Sequence, residues 1–205
     1  MTVRFHKGDL PDLSRYDVEA VAIDTETLGL NPHRDRLCVV QLSPGDGTAD
    51  VVQIARGQKE APNLARLLGD AKVTKLFHFG RFDLAVLYNA FGVMPEPVFC
   101  TKIASRLTRT YTDRHGLKDI CSELLGIGLS KVQQSSDWAA ETLTPDQLDY
   151  AASDVLYLHR LRDALAARLD RDGRRTEAEA CFRFLPTRAK LDLMGWGEDD
   201  IFAHS

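Results

Sequence analysis

The sequence has no excess of basic residues and no hydrophobic run long enough to span a membrane. Its 205 residues include 26 Lys and Arg against 30 Asp and Glu, which gives a formal net charge of −4. A surface that binds long nucleic acid normally carries a strong basic excess, so this balance argues against one. A small anionic ligand held by metal ions remains compatible with it. Residues 1–7 (MTVRFHK) lack the apolar region of a signal peptide, and we therefore expect a cytoplasmic protein.

Cysteine is also scarce. The four cysteines, Cys38, Cys100, Cys121 and Cys181, are scattered without the spacing of a metal site. We interpret them as reduced thiols, as expected in a cytoplasmic protein. Apolar residues make up 44% of the chain, which suits one compact domain over residues 1–205 with a sizeable core.

The hydrophobic pattern predicts an α/β fold, with a mixed five-stranded sheet flanked by helices. Residues 1–20 form a polar lead-in. Short turns after the first and second strands favour antiparallel pairing there. The predicted strands cover residues 21–23, 36–43, 49–54, 74–79 and 98–101. The predicted helices cover 61–70, 81–91, 102–109, 115–125, 145–173 and about 177–194, the last broken at Pro186.

Two carboxylates follow the first predicted strand. Asp24 and Glu26 are separated by one residue, and side chains alternate along a strand, so both point to the same side. Like charges at the end of a buried strand repel each other, and a hard divalent cation relieves that repulsion. The alternative is a pair of solvated loop carboxylates, since this short pattern occurs by chance in acidic chains.

A strong helix start appears at Thr144, with Pro145 in the first helical position and Gln147 where a capping box requires it. Tyr150 and Asp154 lie four residues apart on this helix and share one face. A packed tyrosine beside a solvated carboxylate is the simpler interpretation of that pair. Asp83 follows the fourth predicted strand, where a carboxylate is also common as a helix N-terminal residue.

Taken together, these motifs resemble the three exonuclease motifs of the DEDDy 3′–5′ exonuclease superfamily. The segment from Leu129 to Trp138 (LSKVQQSSDW) and the YAASD sequence that ends at Asp154 resemble the RNase D-like branch. The compact length, the segments 33–36 (HRDR) and 110–116 (TYTDRHG), and the end DIFAHS closely resemble the bacterial single-domain nano-RNase C group of oligoribonucleases. Because the sequence ends soon after the exonuclease motifs, we expect no helical C-terminal domain of the HRDC type, in contrast to RNase D. The chain also has Phe79-Gly80 where many superfamily members carry Asn-Ala.

The resemblance implies an RNase H-like exonuclease fold and hydrolysis of RNA from its 3′ end with two divalent metal ions, Mg²⁺ or Mn²⁺. By motif position, the metal ligands would be Asp24, Glu26, Asp83 and Asp154, and Tyr150 would orient the attacking water. The implied substrate-binding residues are Thr27, Leu28, His78, Lys131, Gln134, Ser135 and Ser136. Each polar member of this set could equally be an ordinary surface or core residue.

The nano-RNase C resemblance further implies very short RNA substrates, down to dinucleotides, and a homo-oligomer, possibly an octamer. Two other interpretations stay open. One is an RNase D-like exonuclease for longer RNA or for DNA, because no residue is an unambiguous reader of the 2′-hydroxyl. The other is a catalytically inactive nucleic-acid-binding scaffold, which the retention of all four carboxylates and Tyr150 disfavours.

Overall fold

A single mixed β-sheet forms the centre of the computed structural model, which describes residues 2–130, 132–133 and 135–204. Its six strands lie in the order β1-β4-β3-β2-β5-β6. The pairs β2–β3 and β3–β4 are antiparallel, as predicted, whereas β1–β4, β2–β5 and β5–β6 are parallel. The strands are β1 Thr2–Lys7, β2 Ala20–Thr27, β3 Leu37–Ser43, β4 Thr48–Gln53, β5 Thr74–Phe77 and β6 Val98–Cys100.

Seven α-helices surround this sheet in the described part of the chain. The last of them is followed by a short π-helical turn, Asp192–Trp196, in which Gly195 has a φ of 108°. The helices are α1 Pro62–Gly69, α2 Arg81–Phe91, α3 Thr101–Thr108, α4 Leu117–Leu125, α5 Pro145–Leu156, α6 Leu158–Arg171 and α7 Arg175–Leu191.

Strand β1 shows that the prediction of five strands was wrong. Its segment, TVRFHK, alternates polar and apolar residues and contains no buried residue, so it resembles a polar lead-in. The strand forms by parallel pairing with β4, from Thr2 opposite Thr48 to Lys7 opposite Gln53. Arg4 and His6 also contact the buried carboxylate of Asp50, at 3.1 and 2.8 Å. The strand therefore depends on contacts with β4, more than forty residues away in the sequence.

Two helix predictions also need correction. The predicted helix 145–173 is divided into α5 and α6 at Tyr157, a single turn residue with a φ of −106° and a ψ of −3°. The apolar stripe of α5 continues into α6, so the hydrophobic pattern does not reveal the break between the two helices. Conversely, Pro186 does not break α7. The helix loses one backbone hydrogen bond there but continues because Leu185, Pro186 and Ala189 are buried.

The core comprises one large cluster that involves most of the sheet and a smaller cluster beneath α5. The smaller cluster contains Cys38, Val39, Val51, Trp138, Leu143 and Ala151. Trp138 is only 3% exposed and packs near the Tyr150 ring, with 6.0 Å between ring centroids. This packing fixes the face of α5 that meets the sheet. All four cysteines are free thiols, and no helix in the described residues is both long and apolar enough to cross a membrane.

Candidate active site

Asp24 and Glu26 lie near the carboxyl end of β2, next to the buried run Val21–Ile23. Strand alternation places both carboxylates on one side and buries Thr25 on the other. Asp24 stands opposite Gln41 of β3 in the antiparallel register. The sheet therefore fixes the backbone of both acids, and the neighbouring strand places a polar partner beside the first.

Helix α5 brings the next two residues to the same place. The Thr144 hydroxyl accepts a hydrogen bond from the Gln147 N–H, and the Gln147 side chain accepts one from the Thr144 N–H at 2.9 Å. This reciprocal cap fixes where the helix begins. Tyr150 and Asp154 follow on one face, one turn apart, and both line the cavities at the acids.

Asp24, Glu26 and Asp154 form a cluster in which one oxygen from each carboxylate lies within 4.8 Å of the others. Burial and the charges of the neighbouring acids raise the pKa of Asp24 well above its usual value. The same two causes raise the pKa of Glu26 to about 8. Burial raises the pKa of Asp154 to about 7. The ionised form of these carboxylates is therefore disfavoured unless a positively charged group lies beside them.

Asp83 joins the site from the first turn of α2 and is buried, with 5% of its surface exposed. Its Oδ1 accepts a hydrogen bond of 2.6 Å from the hydroxyl of Thr25. Burial raises the pKa of Asp83 to about 7, while the Thr25 hydroxyl acts in the opposite direction. Asp83 also contributes to the raised pKa values of Asp24 and Glu26, so the four acids belong to one electrostatic unit.

Gln41 holds the orientation of Asp24. Its Nε2 donates to Asp24 Oδ2 at 2.8 Å, and the Gln41 side chain is fully buried. This bond holds one of the two carboxylate oxygens of Asp24. The Oε1 of Gln41 is buried without a hydrogen-bond partner in the described structure.

The donor set fits a hard divalent cation. It consists of carboxylate oxygens, which Mg²⁺ and Mn²⁺ prefer, and it contains no sulfur or imidazole ligand. The raised pKa values show that the carboxylates are held together against their own repulsion, which a cation would remove. Asp24, Glu26 and Asp154 would hold such ions. Asp83 would contribute a further carboxylate, because its charge already influences the pKa values of Asp24 and Glu26.

Tyr150 is suited to donate a hydrogen bond at the edge of this cluster. Burial and the charge of Asp154 raise its pKa, so the phenol keeps its proton at neutral pH. A neutral hydroxyl beside the acids can orient a water molecule or a phosphate oxygen.

Two cavities meet at the acidic cluster. One, of about 450 Å³, runs past Thr27, Leu30 and Phe82. The other, of about 270 Å³, runs past Lys102, Lys118 and Ser130. Both are lined by the same five residues, Asp24, His78, Phe79, Tyr150 and Asp154. The acids therefore lie between a compartment that includes apolar side chains such as Leu30 and Phe82 and one with two basic side chains.

Only some of the predicted substrate-binding residues line the two cavities at the acids. Thr27 lines the larger cavity, and Leu28 is 55% exposed beside a further cavity of about 730 Å³. Ser135 and Ser136 are not among the residues that line the two cavities at the acids. Lys131 and Gln134 lie outside the described residues, so their prediction is untested.

His78 lines both cavities but does not carry a positive charge. Its Nδ1 lies 2.9 Å from the Thr101 hydroxyl. Burial, together with the charge of Lys102, lowers the pKa of His78 to about 3. The ring is therefore a neutral part of the cavity surface that joins β5 to neighbouring segments.

Phe79 is a cavity residue that the sequence analysis did not assign. Its φ of 65° is unusual for a residue with a large side chain, and its ring is 48% exposed. The Lys102 ammonium lies 4.3 Å from the ring centroid. The departure from Asn-Ala at positions 79–80 was the available signal. Thr25 and Gln41 were not predicted as site residues either. Their sequence signals were the position of Thr25 between the two motif acids and the polar side chain of Gln41 within an apolar strand.

Comparison with known proteins agrees with this geometry. Residues 12–170 match the model of a 3′–5′ exonuclease family. The structure of Brucella melitensis NrnC with bound Mg²⁺ is 74% identical and covers 100% of both chains, with a TM-score of 0.97. A second structure of that protein, bound to pGG, is 75% identical, with the same coverage and a TM-score of 0.98.

Curated relatives include ribonuclease D from Acidiphilium cryptum, which is 36% identical over 154 residues. The match covers 75% of this chain but only 39% of that relative. The chain thus corresponds to less than half of the length of this ribonuclease D, whereas it matches NrnC from end to end. By its family match and these relatives, the chain belongs to the 3′–5′ exonuclease family, in the RNase D-like branch that includes NrnC.

Proposed function

We propose that this protein is a metal-dependent 3′–5′ exoribonuclease that degrades very short RNA, from dinucleotides to a few nucleotides, to mononucleotides. The observation that carries the proposal is the cluster of Asp24, Glu26 and Asp154, with Tyr150 at its edge and two small cavities on either side. Phosphodiester hydrolysis uses such a carboxylate set to hold two divalent cations.

The four carboxylates would hold the cations, with Gln41 orienting Asp24 and Thr25 orienting Asp83. When bound, divalent cations neutralise the charge that develops on the phosphate and lower the pKa of water. The Tyr150 hydroxyl, which keeps its proton, would orient the attacking water through a hydrogen bond. Thr27 and Leu28 would contact the 3′-terminal nucleotide from the end of β2.

The size of the site favours short substrates. Cavities of about 450 and 270 Å³ suit a small ligand, and the net charge of −4 does not imply an extended basic track. A relative that is 75% identical over its whole length binds pGG. These observations support a dinucleotide-sized substrate for this chain.

A specific observation favours the second candidate function, an RNase D-like exonuclease for longer RNA. The cavity of about 730 Å³ beside Leu28 is lined by four basic side chains, those of Arg34, Arg36, Arg56 and Lys59. Only Arg34 has a carboxylate partner among the described residues, which is Asp35 at 2.7 Å. Basic side chains of this kind could hold additional phosphates of a longer strand.

Cleavage of end-labelled RNAs of two, three, seven and twenty nucleotides, at fixed salt with Mg²⁺ or Mn²⁺, tests the proposal. We expect kcat/KM to be highest for the shortest substrates, with no cleavage in chelator and a loss of about a thousandfold or more in Asp24→Ala. Efficiency that increases with length and falls steeply with salt would instead establish the longer-RNA function. A matched set of DNA oligonucleotides determines whether the 2′-hydroxyl is needed.

We also propose that the chain forms a homo-oligomer through its C-terminal segment. Met194 is 66% exposed, Phe202 is 76% exposed, and Trp196 and Ile201 are each more than 40% exposed. Adjacent exposed apolar side chains of this kind favour contact with another protein surface. The alternative is local packing, for which the contact of Phe202 with Phe184, at 5.7 Å between ring centroids, is evidence.

A further inference from the structure

An ion pair connects the C-terminal turn with the start of the helix that carries Asp83. Arg81 Nε donates to Asp192 Oδ2 at 2.6 Å, and Arg81 Nη2 donates to Asp192 Oδ1 at 2.7 Å. The same Nη2 donates to the Gly197 carbonyl oxygen at 2.7 Å. This two-pronged geometry is the strong and directional form of an arginine–carboxylate contact. It joins residues that are 111 positions apart in the sequence.

The position of Arg81 makes this contact relevant to the active site. Arg81 is the first residue of α2, and Asp83 lies two residues later in the same turn. Phe79, two residues before Arg81, has a φ of 65° and lines both cavities. Gly80 packs so tightly that an added Cβ would lie 2.7 Å from the Cβ of Phe77.

Such a turn requires external support. A backbone in a sparsely populated conformation persists only where the surrounding structure holds it. In addition, a positive side chain at a helix N-terminus is opposed by the helix dipole, so Arg81 depends on its acidic partner. Asp192 can provide this support, because only 13% of its side chain is exposed and water therefore screens the ion pair less.

We propose that Arg81 and Asp192 act as a positioning pair, which holds the first turn of α2 so that Asp83 and Phe79 keep their places beside the metal-binding acids. The C-terminal turn is then a support of the active site. This inference rests on the proposed function, since it assigns the pair to the metal centre of that same site. A merely structural ion pair would affect stability alone.

The test compares Arg81→Ala, Asp192→Asn and the double variant with the wild-type protein. Mn²⁺ binding is measured by titration calorimetry, and kcat and KM are measured on a dinucleotide. We expect Mn²⁺ affinity to fall about tenfold in each single variant, as when a residue that orients a metal ligand is lost. The value of kcat should fall with little change in KM, and the double variant should be no worse than the singles.

Arg188 provides a matched control. It shares the C-terminal partners of Arg81, since it pairs with Asp192 at 3.0 Å and donates to the carbonyl oxygens of Trp196 and Gly197 at 2.6 and 3.2 Å. Unlike Arg81, it is not part of α2 and has no hydrogen bond or ion pair with α2 among the described residues. Arg188→Ala should therefore lower the melting temperature without changing Mn²⁺ affinity.

Wild-type Mn²⁺ affinity in Asp192→Asn would overturn the inference, and so would an equal loss of affinity in Arg188→Ala. Asp192→Asn keeps the shape of the side chain, so it decides the matter if Arg81→Ala does not fold. Failure of the wild-type protein to cleave any RNA would refute the proposed function instead, and the Mn²⁺ titrations would still test the positioning pair.

Discussion

Replacement of Thr25 by Val should destabilise the metal-free protein in a way that depends on pH. The Thr25 hydroxyl donates to Asp83 Oδ1 at 2.6 Å, and both residues are buried. Valine keeps the branched shape of threonine and removes only the hydroxyl. The carboxylate of Asp83 would then be left in a buried place without this donor, while the packing around it is preserved.

The structure gives the sign and size of the effect. Burial raises the pKa of Asp83 from 3.8 to about 7, so the metal-free fold loses stability as pH rises through that range. The Thr25 hydroxyl limits the rise, because its hydrogen bond favours the ionised carboxylate. A hydrogen bond to a charged group contributes about 1.5–3 kcal/mol, which is equivalent to about one or two pKa units.

In Thr25→Val the loss of stability should therefore continue above the wild-type pKa of about 7. The variant should differ little from the wild type at about pH 5.5, where Asp83 is protonated in both. The difference should reach about 1.5–3 kcal/mol by about pH 9. For a chain of this size each kcal/mol corresponds to about 2–4 °C in melting temperature.

Thermal unfolding in the presence of a chelator, measured at several pH values between these limits, provides the assay. Thr27→Val is the matched control, because the Thr27 hydroxyl donates to the Gly29 carbonyl oxygen, which does not titrate. Its effect should be the same at every pH. A Thr25→Val difference that is flat with pH, or larger in acid, would refute the reasoning.

Three further predictions concern catalysis and assembly. Asp24→Ala should lower kcat by about a thousandfold or more in a metal-reconstituted assay, and adding Asp154→Ala should cost little extra because the ligands act as a unit; near-normal turnover would exclude the metal-site assignment. Tyr150→Phe should lower the single-turnover rate about a hundredfold while dinucleotide binding is kept, and an unchanged rate would remove the hydroxyl from the mechanism. Light scattering should show an oligomer that is weakened by deletion of residues 196–205, whereas an oligomer that survives the deletion would place the interface elsewhere.

The sequence predicted well those features that depend on local pattern. The capping box at Thr144 and Gln147 is present, because its hydrogen bonds join residues only three apart. Asp24 and Glu26 share one side of β2, as strand alternation requires. Motif order also grouped Asp83, Tyr150 and Asp154 with these two acids, and in the structure all five residues line one cavity. Their catalytic roles stay a prediction.

Features that depend on distant partners could not be predicted in this way. Strand β1 exists through its pairing with β4, and the Arg81–Asp192 contact spans most of the chain. Nothing near His78 in the sequence shows that burial keeps its ring neutral. Only the folded arrangement reveals that Gln41 and Thr25 each orient one of the acids.

The backbone of Phe79 has a consequence for engineering. A left-handed conformation costs a residue with a large side chain about 1–2 kcal/mol, and glycine or asparagine would relieve most of it. The native residue is thus not the most stable choice for its own backbone. Selection of a variant library for thermal stability alone would enrich Phe79→Gly and Phe79→Asn. Each of these variants would lack the aromatic ring at the position that lines both cavities.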